Sequence, residues 1–242
     1  MKEIISEYLK DHGFAEFSPK AVLFDMDGVL YDSMPLHAIA WVKSMKRFGI
    51  HMTSADAYAT EGARGIDTIR TMVKKQKGED ISLDEAQKMY DVKTEIFHTL
   101  PTATIFPGVR ETMQKIKEAG MQIGVVTGSG QRPLIMRLLS DFGDFLDEAH
   151  IVTAYDVERG KPNPDPYLAG LQKAGNLKPN EGIVVENAPL GVQAGVAAGI
   201  FTVAVNSGPL PDEELTDKGC NLLYHKMTEF CNNFERIKTL SL

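Results

Sequence analysis

Ten residues near the N-terminus, Ala21-Val22-Leu23-Phe24-Asp25-Met26-Asp27-Gly28-Val29-Leu30, constrain the fold more than any other part of the chain. Ala21–Phe24 is a short apolar run bounded by turn signals, the pattern of a strand buried on both faces of a parallel sheet. It stops at two carboxylates one residue apart. Asp25 and Asp27 share a face if strand geometry continues, and Gly28 lets the backbone turn sharply just beyond them. Clustered carboxylates at the end of a buried strand repel each other. Mg²⁺ takes hard oxygen ligands, offsets that repulsion and can also hold phosphate oxygens. The plainer alternative, two loop aspartates that cap a following helix, stays open on these residues alone.

Residues 1–20 place Ile4, Ile5, Tyr8 and Leu9 at helical spacing and turn through Gly13 and Pro19, so a short packing helix leads into the strand. Between about residues 36 and 100 there is no convincing buried strand. Helical patterns fall at 36–48, 54–59, 66–77 and 83–98, punctuated by Gly49, Gly62, Gly65 and Gly78, with a capping box at Ser82 and Glu85. Past Pro101 and Pro107 strands and helices alternate. Helices are expected at 109–119, 132–141, 164–174 and 189–198, and strands at 122–127, 151–153, 182–186 and 201–205. Alternation of this kind predicts an α/β fold, a doubly wound parallel sheet with helices on both faces. The expected organisation is one core domain, residues 1–32 and 103–242, interrupted by a four-helix cap at 33–102.

In such sheets sites gather where the strands' carboxyl ends meet their loops. The expected strand at 122–127 leads into Thr127-Gly128-Ser129-Gly130, a hydroxyl and flexible amides able to bind phosphate oxygens. Lys161 is framed by Gly160 and Pro162, which fix its backbone. Ile183-Val184-Val185 ends in Glu186-Asn187, an acid and an amide suited to contact a metal directly or through its ligands. Each has an ordinary reading as a turn, a solvated lysine or a polar loop. Together they supply a carboxylate nucleophile, an acid/base, phosphate donors and a cation site, which is what phosphoryl transfer through an aspartyl phosphate needs.

These four strings, Phe24-Asp25-Met26-Asp27-Gly28-Val29-Leu30, Thr127-Gly128-Ser129, Lys161-Pro162 and Val185-Glu186-Asn187, resemble the four motifs of the haloacid dehalogenase superfamily. A helical segment inserted after the first motif resembles the β-phosphoglucomutase and phosphoglycolate phosphatase branch. The resemblance implies that Asp25 is the nucleophile and Asp27 the acid that protonates the leaving oxygen and then activates the second nucleophile. It also implies that Thr127 and Lys161 hold the transferring phosphoryl group. Gly128 and Ser129 are expected to contact it, and Mg²⁺ to lie between Asp25, the backbone carbonyl of Asp27 and the Glu186–Asn187 end. Dehalogenating members lack the acid at the position of Asp27, so dehalogenation is set aside.

Relatives commonly carry Glu-Asp-Ser where this chain has Glu186-Asn187-Ala188, so a carboxylate ligand is replaced by a neutral amide. Glu61, in a segment resembling the substrate-selecting cap loop, is the candidate to restore that charge; a solvated helix-end glutamate is the plainer reading. The pair would favour a small, highly charged substrate, with inorganic pyrophosphate the extreme case. His37 resembles a cap histidine that assists the acid/base, and Arg64 and Lys93 are expected to neutralise a distal phosphate. The alternative reading is a true β-phosphoglucomutase that interconverts β-glucose 1-phosphate and glucose 6-phosphate.

A phospho-acceptor signalling module also combines a phosphorylated aspartate, a hydroxyl and a lysine. Such modules are about half this length and lack both the insertion and the acid two residues on. A formal charge of −7 argues against a nucleic-acid partner. Cys220 and Cys231 match no zinc spacing or disulfide framework, so reduced thiols are expected. No run approaches the ~18–20 apolar residues of a membrane span, and no signal core opens the chain. The expectation is a cytoplasmic, monomeric Mg²⁺ enzyme acting on a small phosphorylated metabolite or pyrophosphate.

Overall fold

The computed structural model describes residues 1–238; the last four residues of the expected core segment, 239–242, lie outside the described residues. In chain order the elements are α1 (Lys2–His12), β1 (Ala21–Phe24), α2 (Met34–Arg47), α3 (Ser54–Ala59), α4 (Gly65–Lys77), α5 (Leu83–His98) and α6 (Val109–Glu118). Then come β2 (Gln122–Val126), α7 (Arg132–Phe142), β3 (Ile151–Val152), α8 (Asp165–Lys173), β4 (Gly182–Glu186) and α9 (Pro189–Ala197). β5 (Phe201–Val205), α10 (Glu213–Thr216), β6 (Leu222–Tyr224) and α11 (Met227–Lys238) complete the described chain. The capping box at Ser82 and Glu85 is formed, each side chain bonding the other's backbone amide.

All six strands are parallel, in the order β3-β2-β1-β4-β5-β6. β1 is central and buried along its whole length. Val22 and Phe24 point into the larger core with α6, α7 and α11, while Leu23 points into a second core with α8 and α9. An uninterrupted apolar run is therefore what this strand requires. Phe24 is in register with Val125 on one side and Val185 on the other, so Asp25 emerges level with Val126 and Glu186. The chain leaves β1 toward β2 and returns to its other side at β4, and the crevice at that reversal is where the carboxyl ends converge.

Helices α2 to α5 pack on one another around Trp41, Met45, Ile69, Met72 and Val73, over those carboxyl ends. Among the described residues no helix is long and apolar enough to cross a membrane.

The sequence reading assigns nothing after residue 205, where the structure has β6 and α11. The β6 strand is a three-residue, half-buried edge too short to show a period. α11 does carry one, with Phe230, Phe234 and Ile237 on a buried face and the Phe230 ring edge-on to Phe24 at 6.5 Å. Phe230→Ala should cost about 3–5 kcal/mol of stability through the cavity it leaves, read as a lower urea midpoint at unchanged slope.

Candidate active site

At the end of β1 the Asp25 carboxylate meets the Lys161 ammonium, Oδ1 to Nζ 2.5 Å. The same ammonium donates to Glu186 Oε1 at 2.6 Å and to the Val126 carbonyl at 3.0 Å, so all three of its protons are used. Glu186, 0% exposed, is saturated: Oε1 also accepts from Tyr167 Oη, and Oε2 accepts from the amides of Asn187 and Ala188. This corrects the expectation that the Glu186 carboxylate ligates a metal, because both its oxygens are turned inward to hold Lys161 and the start of α9. Gly191 is required beside it, since a Cβ there would lie 1.7 Å from Glu186 Oε1. Burial works against the charge on Lys161, but Asp25 and Glu186 prevail and push its pKa up. Burial and the nearby acids push the Asp25 carboxyl up, against the pull of Lys161. Negative charge is in surplus here.

Asp27 sits two residues on. Its Oδ1 accepts from Ser33 Oγ at 2.6 Å and from His37 Nε2 at 3.1 Å. Ser33 stands at the N-cap of α2, yet its hydroxyl turns to Asp27 rather than capping the helix. Lys93 Nζ lies 2.7 Å from His37 Nδ1. An ammonium can only donate, so Nδ1 accepts and the ring proton is on Nε2, aimed at Asp27. Lys93 is 2% exposed, ringed by Trp41, Tyr90 and Phe97 with centroids at 5.2, 5.7 and 5.0 Å, and desolvation brings it down to about 8. Burial and Lys93 also push His37 down, so the imidazole meets Asp27 as a neutral donor. Burial works against the Asp27 charge, but His37 and Ser33 override it and hold the carboxyl below its usual range.

From the cap, Glu61 reaches the core. It is 7% exposed, and its Oε1 accepts from Asn187 Nδ2 at 2.7 Å, which rules out the solvated helix-end glutamate. The bridge passes over Gly28, where φ is +79° and a Cβ would lie 2.0 Å from Asn187 Nδ2 and 2.9 Å from Glu61 Oε1. A second cross-contact joins Gln131 Nε2 to Tyr90 Oη at 3.1 Å. The cavity beside these contacts measures about 70 Å³ and is lined by Asp25, Asp27, His37, Glu61, Lys93, Thr127, Gly128 and Ser129 among others. Arg64 is not among its lining residues. Its guanidinium pairs with Asp67, Nε to Oδ2 2.7 Å, and it lines a neighbouring cleft with Arg159, Asn163 and Lys161 and a small pocket with Thr127, Gly128 and Lys161. Ser33, Tyr167, Tyr90 and Gln131 are not among the residues expected from the sequence; of these only Ser33, a serine at a helix N-cap position, is a residue type with a local signal, and that signal is for capping.

A divalent cation fits this donor set. Glu61 Oε2 and Asn187 Oδ1 are buried without a hydrogen-bond partner, and acids outnumber bases around them. Among the described residues no three His, Cys, Asp or Glu side chains form a ready-made cage. That suits Mg²⁺, which is held by one or two carboxylates, an amide or carbonyl oxygen and substrate phosphates.

The fold and site define a capped, doubly wound α/β enzyme. The chain belongs to the haloacid dehalogenase-like hydrolases, whose family model matches residues 22–205. It is 35% identical over 188 residues to hexitol phosphatase A of Escherichia coli (strain K12), covering 78% of this chain and 83% of that one. It is 26% identical over 197 residues to β-phosphoglucomutase of Bacillus subtilis (strain 168), covering 78% and 84%. A solved structure of a provisionally assigned β-phosphoglucomutase from Bacteroides vulgatus aligns with TM-score 0.94 and 50% identity over 99% of this chain and 97% of that one. The protein is thus an enzyme of the phosphatase and phosphomutase-like part of the family.

Lys93→Met tests the His37 chain. It should lower kcat by roughly tenfold to a hundredfold with KM nearly unchanged, below the ~10²–10⁴ of a full acid/base deletion. Removing a desolvated charge should at the same time raise Tm. A rise in KM alone would place Lys93 on the substrate instead.

Proposed function

We propose that this enzyme is a Mg²⁺-dependent phosphohydrolase that works through a phosphoaspartyl intermediate on Asp25, with inorganic pyrophosphate as its substrate. The observation that carries the reading is Glu61, held inside the cavity by Asn187. The cavity over Asp25 that Glu61 helps line measures about 70 Å³, well below the ~300 Å³ at which small-molecule pockets begin. A leaving group that is itself a phosphate is compact, and its oxygens suit walls that carry the hydroxyls of Thr127 and Ser129.

Lys161 holds one Asp25 oxygen and leaves the other to attack phosphorus. As the Asp25 O–P bond forms, the bond to the leaving phosphate breaks, and the departing oxygen takes a proton from Asp27. Ser33 and His37 both occupy Oδ1 of Asp27, so the transferred proton belongs to Oδ2. A dianionic substrate nearby raises the otherwise low pKa of this carboxyl and loads it for transfer. Water then attacks the same phosphorus and gives its proton to Asp27, the Asp25 O–P bond breaks, and phosphate leaves. Thr127 and the Ser129 region donate to the transferring oxygens, while Lys161 balances charge on Asp25 throughout. Asp25, Asn187, the Asp27 carbonyl and Glu61 would hold the Mg²⁺, which when bound neutralises phosphoryl oxygens.

A second reading, a sugar-phosphate mutase, is favoured by the 50% identity to the Bacteroides vulgatus structure. It requires the cap to admit a hexose in place of the leaving phosphate.

A panel of pyrophosphate, hexose phosphates, hexitol phosphates and β-glucose 1-phosphate with its bisphosphate activator separates the two. Phosphate release should be fastest from pyrophosphate, should vanish on chelation, and should fall by at least about 10⁴-fold in Asp25→Asn. Formation of glucose 6-phosphate as the dominant turnover would establish the mutase.

A further inference from the structure

Asp27 sits in a turn whose backbone is closed by a single residue. The Tyr31 amide donates to the Met26 carbonyl at 3.2 Å and the Tyr31 carbonyl accepts from the Gly28 amide at 2.8 Å, so both neighbours of Asp27 are held by Tyr31. Its side chain, in turn, is fixed to α7. Tyr31 Oη donates to Asp141 Oδ2 at 2.8 Å, and the Arg137 guanidinium lies over the ring, 4.3 Å from its centroid. Arg137 pairs with the same Asp141 oxygen at 3.3 Å and donates to the Ala103 carbonyl, where the chain returns from cap to core. Burial and Asp141 both push the Tyr31 hydroxyl up, so it stays protonated and remains a donor. Behind the turn lies a cavity of about 20 Å³, lined by Asp27, Tyr31, Ser33, Ala103 and Arg137 among others, which is room for about one water. Packing is incomplete on that side, and the polar anchor does there what packing does elsewhere.

We propose that Tyr31, anchored by Asp141 and Arg137, is the positioning residue for Asp27 and sets where the acid/base carboxylate stands relative to the phosphoryl group. The inference rests on the proton-transfer role given to Asp27 above, and it adds what holds that carboxylate from the core side. His37 and Ser33 fix the Asp27 side chain, whereas Tyr31 fixes its backbone. α7 makes the placement effective. The helix begins directly after the Thr127-Gly128-Ser129 string, with the amide of its N-cap residue Gln131 bonded to Ser129 Oγ at 3.3 Å, and further along it carries Arg137 and Asp141. One rigid helix therefore references both the phosphoryl-binding loop and the proton donor, which keeps the distance between them constant. A misplacement of about 1 Å at a reacting group can cost about a hundredfold in rate.

Two compact phosphoryl donors, given to the full chain with Mg²⁺, separate this role from a structural one. Pyrophosphate releases a strongly basic phosphate oxygen that needs a proton, whereas acetyl phosphate releases acetate, which does not. Tyr31→Phe removes only the hydroxyl and keeps the ring beneath Arg137. It should lose at least about tenfold more of its kcat/KM on pyrophosphate than on acetyl phosphate. Asp141→Asn keeps an acceptor for the Tyr31 hydroxyl and should show a smaller split than Asp141→Ala. Asp27→Asn calibrates the pair and should show the largest split. Losses of equal size on both donors in Tyr31→Phe, or no loss, while Asp27→Asn still splits, overturn the proposal and leave the role of Asp27 standing. Losses of equal size in Asp27→Asn would remove the acid role itself, and the proposal with it. If the phosphate panel selects a sugar phosphate, its alkoxide leaving oxygen takes the place of pyrophosphate in the same comparison, so substrate choice and the placement of Asp27 are decided separately.

Discussion

The site depends on one buried ammonium. Lys161 reaches across the ends of β1, β2 and β4 and ties Asp25, the Val126 carbonyl and Glu186 into one cluster. Burying an ion pair is seldom favourable in itself, because desolvation offsets the attraction unless every remaining donor and acceptor is met. Here they are met on the Lys161 and Glu186 side: Tyr167 and two backbone amides complete Glu186, and the lysine has no proton left over. The arrangement keeps Lys161 charged and lets it hold Asp25 in place without neutralising it outright. The remaining surplus of negative charge around Asp25 and Glu61 suits the cation of the proposed function.

Much of the fold was legible because the relevant forces are local or periodic. Ala21–Phe24 is apolar at every position because both faces are covered, and the alternation after residue 101 follows from crossovers that must return to a parallel sheet. The family resemblance lay in short strings whose residues are close in space only because the register aligns them. What those strings could not convey is direction. Glu186 at the end of a strand can face a metal or a lysine, and only the pairing of Phe24 with Val185 puts it against Lys161. Arg64 follows the same rule: beside a cap loop it looks like a phosphate ligand, but Asp67 three residues on is a nearer partner on the same helical turn.

The joint bonding of His37 and Lys93 behind Asp27 was not legible, for a different reason. His37 and Lys93 are far apart in sequence, on α2 and α5, and meet only because the cap helices pack antiparallel around Trp41. The sequence expects His37 to assist the acid/base and Lys93 to neutralise a distal phosphate, and both line the cavity. Their bonding adds a role that composition cannot suggest. Lys93 sets the tautomer of His37, and His37 with Ser33 fixes one oxygen of Asp27, which leaves the other for proton transfer.

Cap and core therefore contribute different things to the same chemistry. Under the proposed function the core supplies the nucleophile and its lysine on rigid strand ends, where position is set by the sheet's register. The cap supplies the groups that act on the neighbouring carboxylate and the carboxylate that closes the cavity. Under the proposed function such an enzyme is assembled only when its two parts meet, and the space left between Glu61 and Thr127 would select the leaving group. Selection by space alone is weak for small differences, since one extra methylene changes binding by only about 1–3 kcal/mol. It becomes strong when the excluded substrate would have to displace a buried carboxylate from its amide partner, because the unpaired Asn187 adds its own desolvation cost to the steric one.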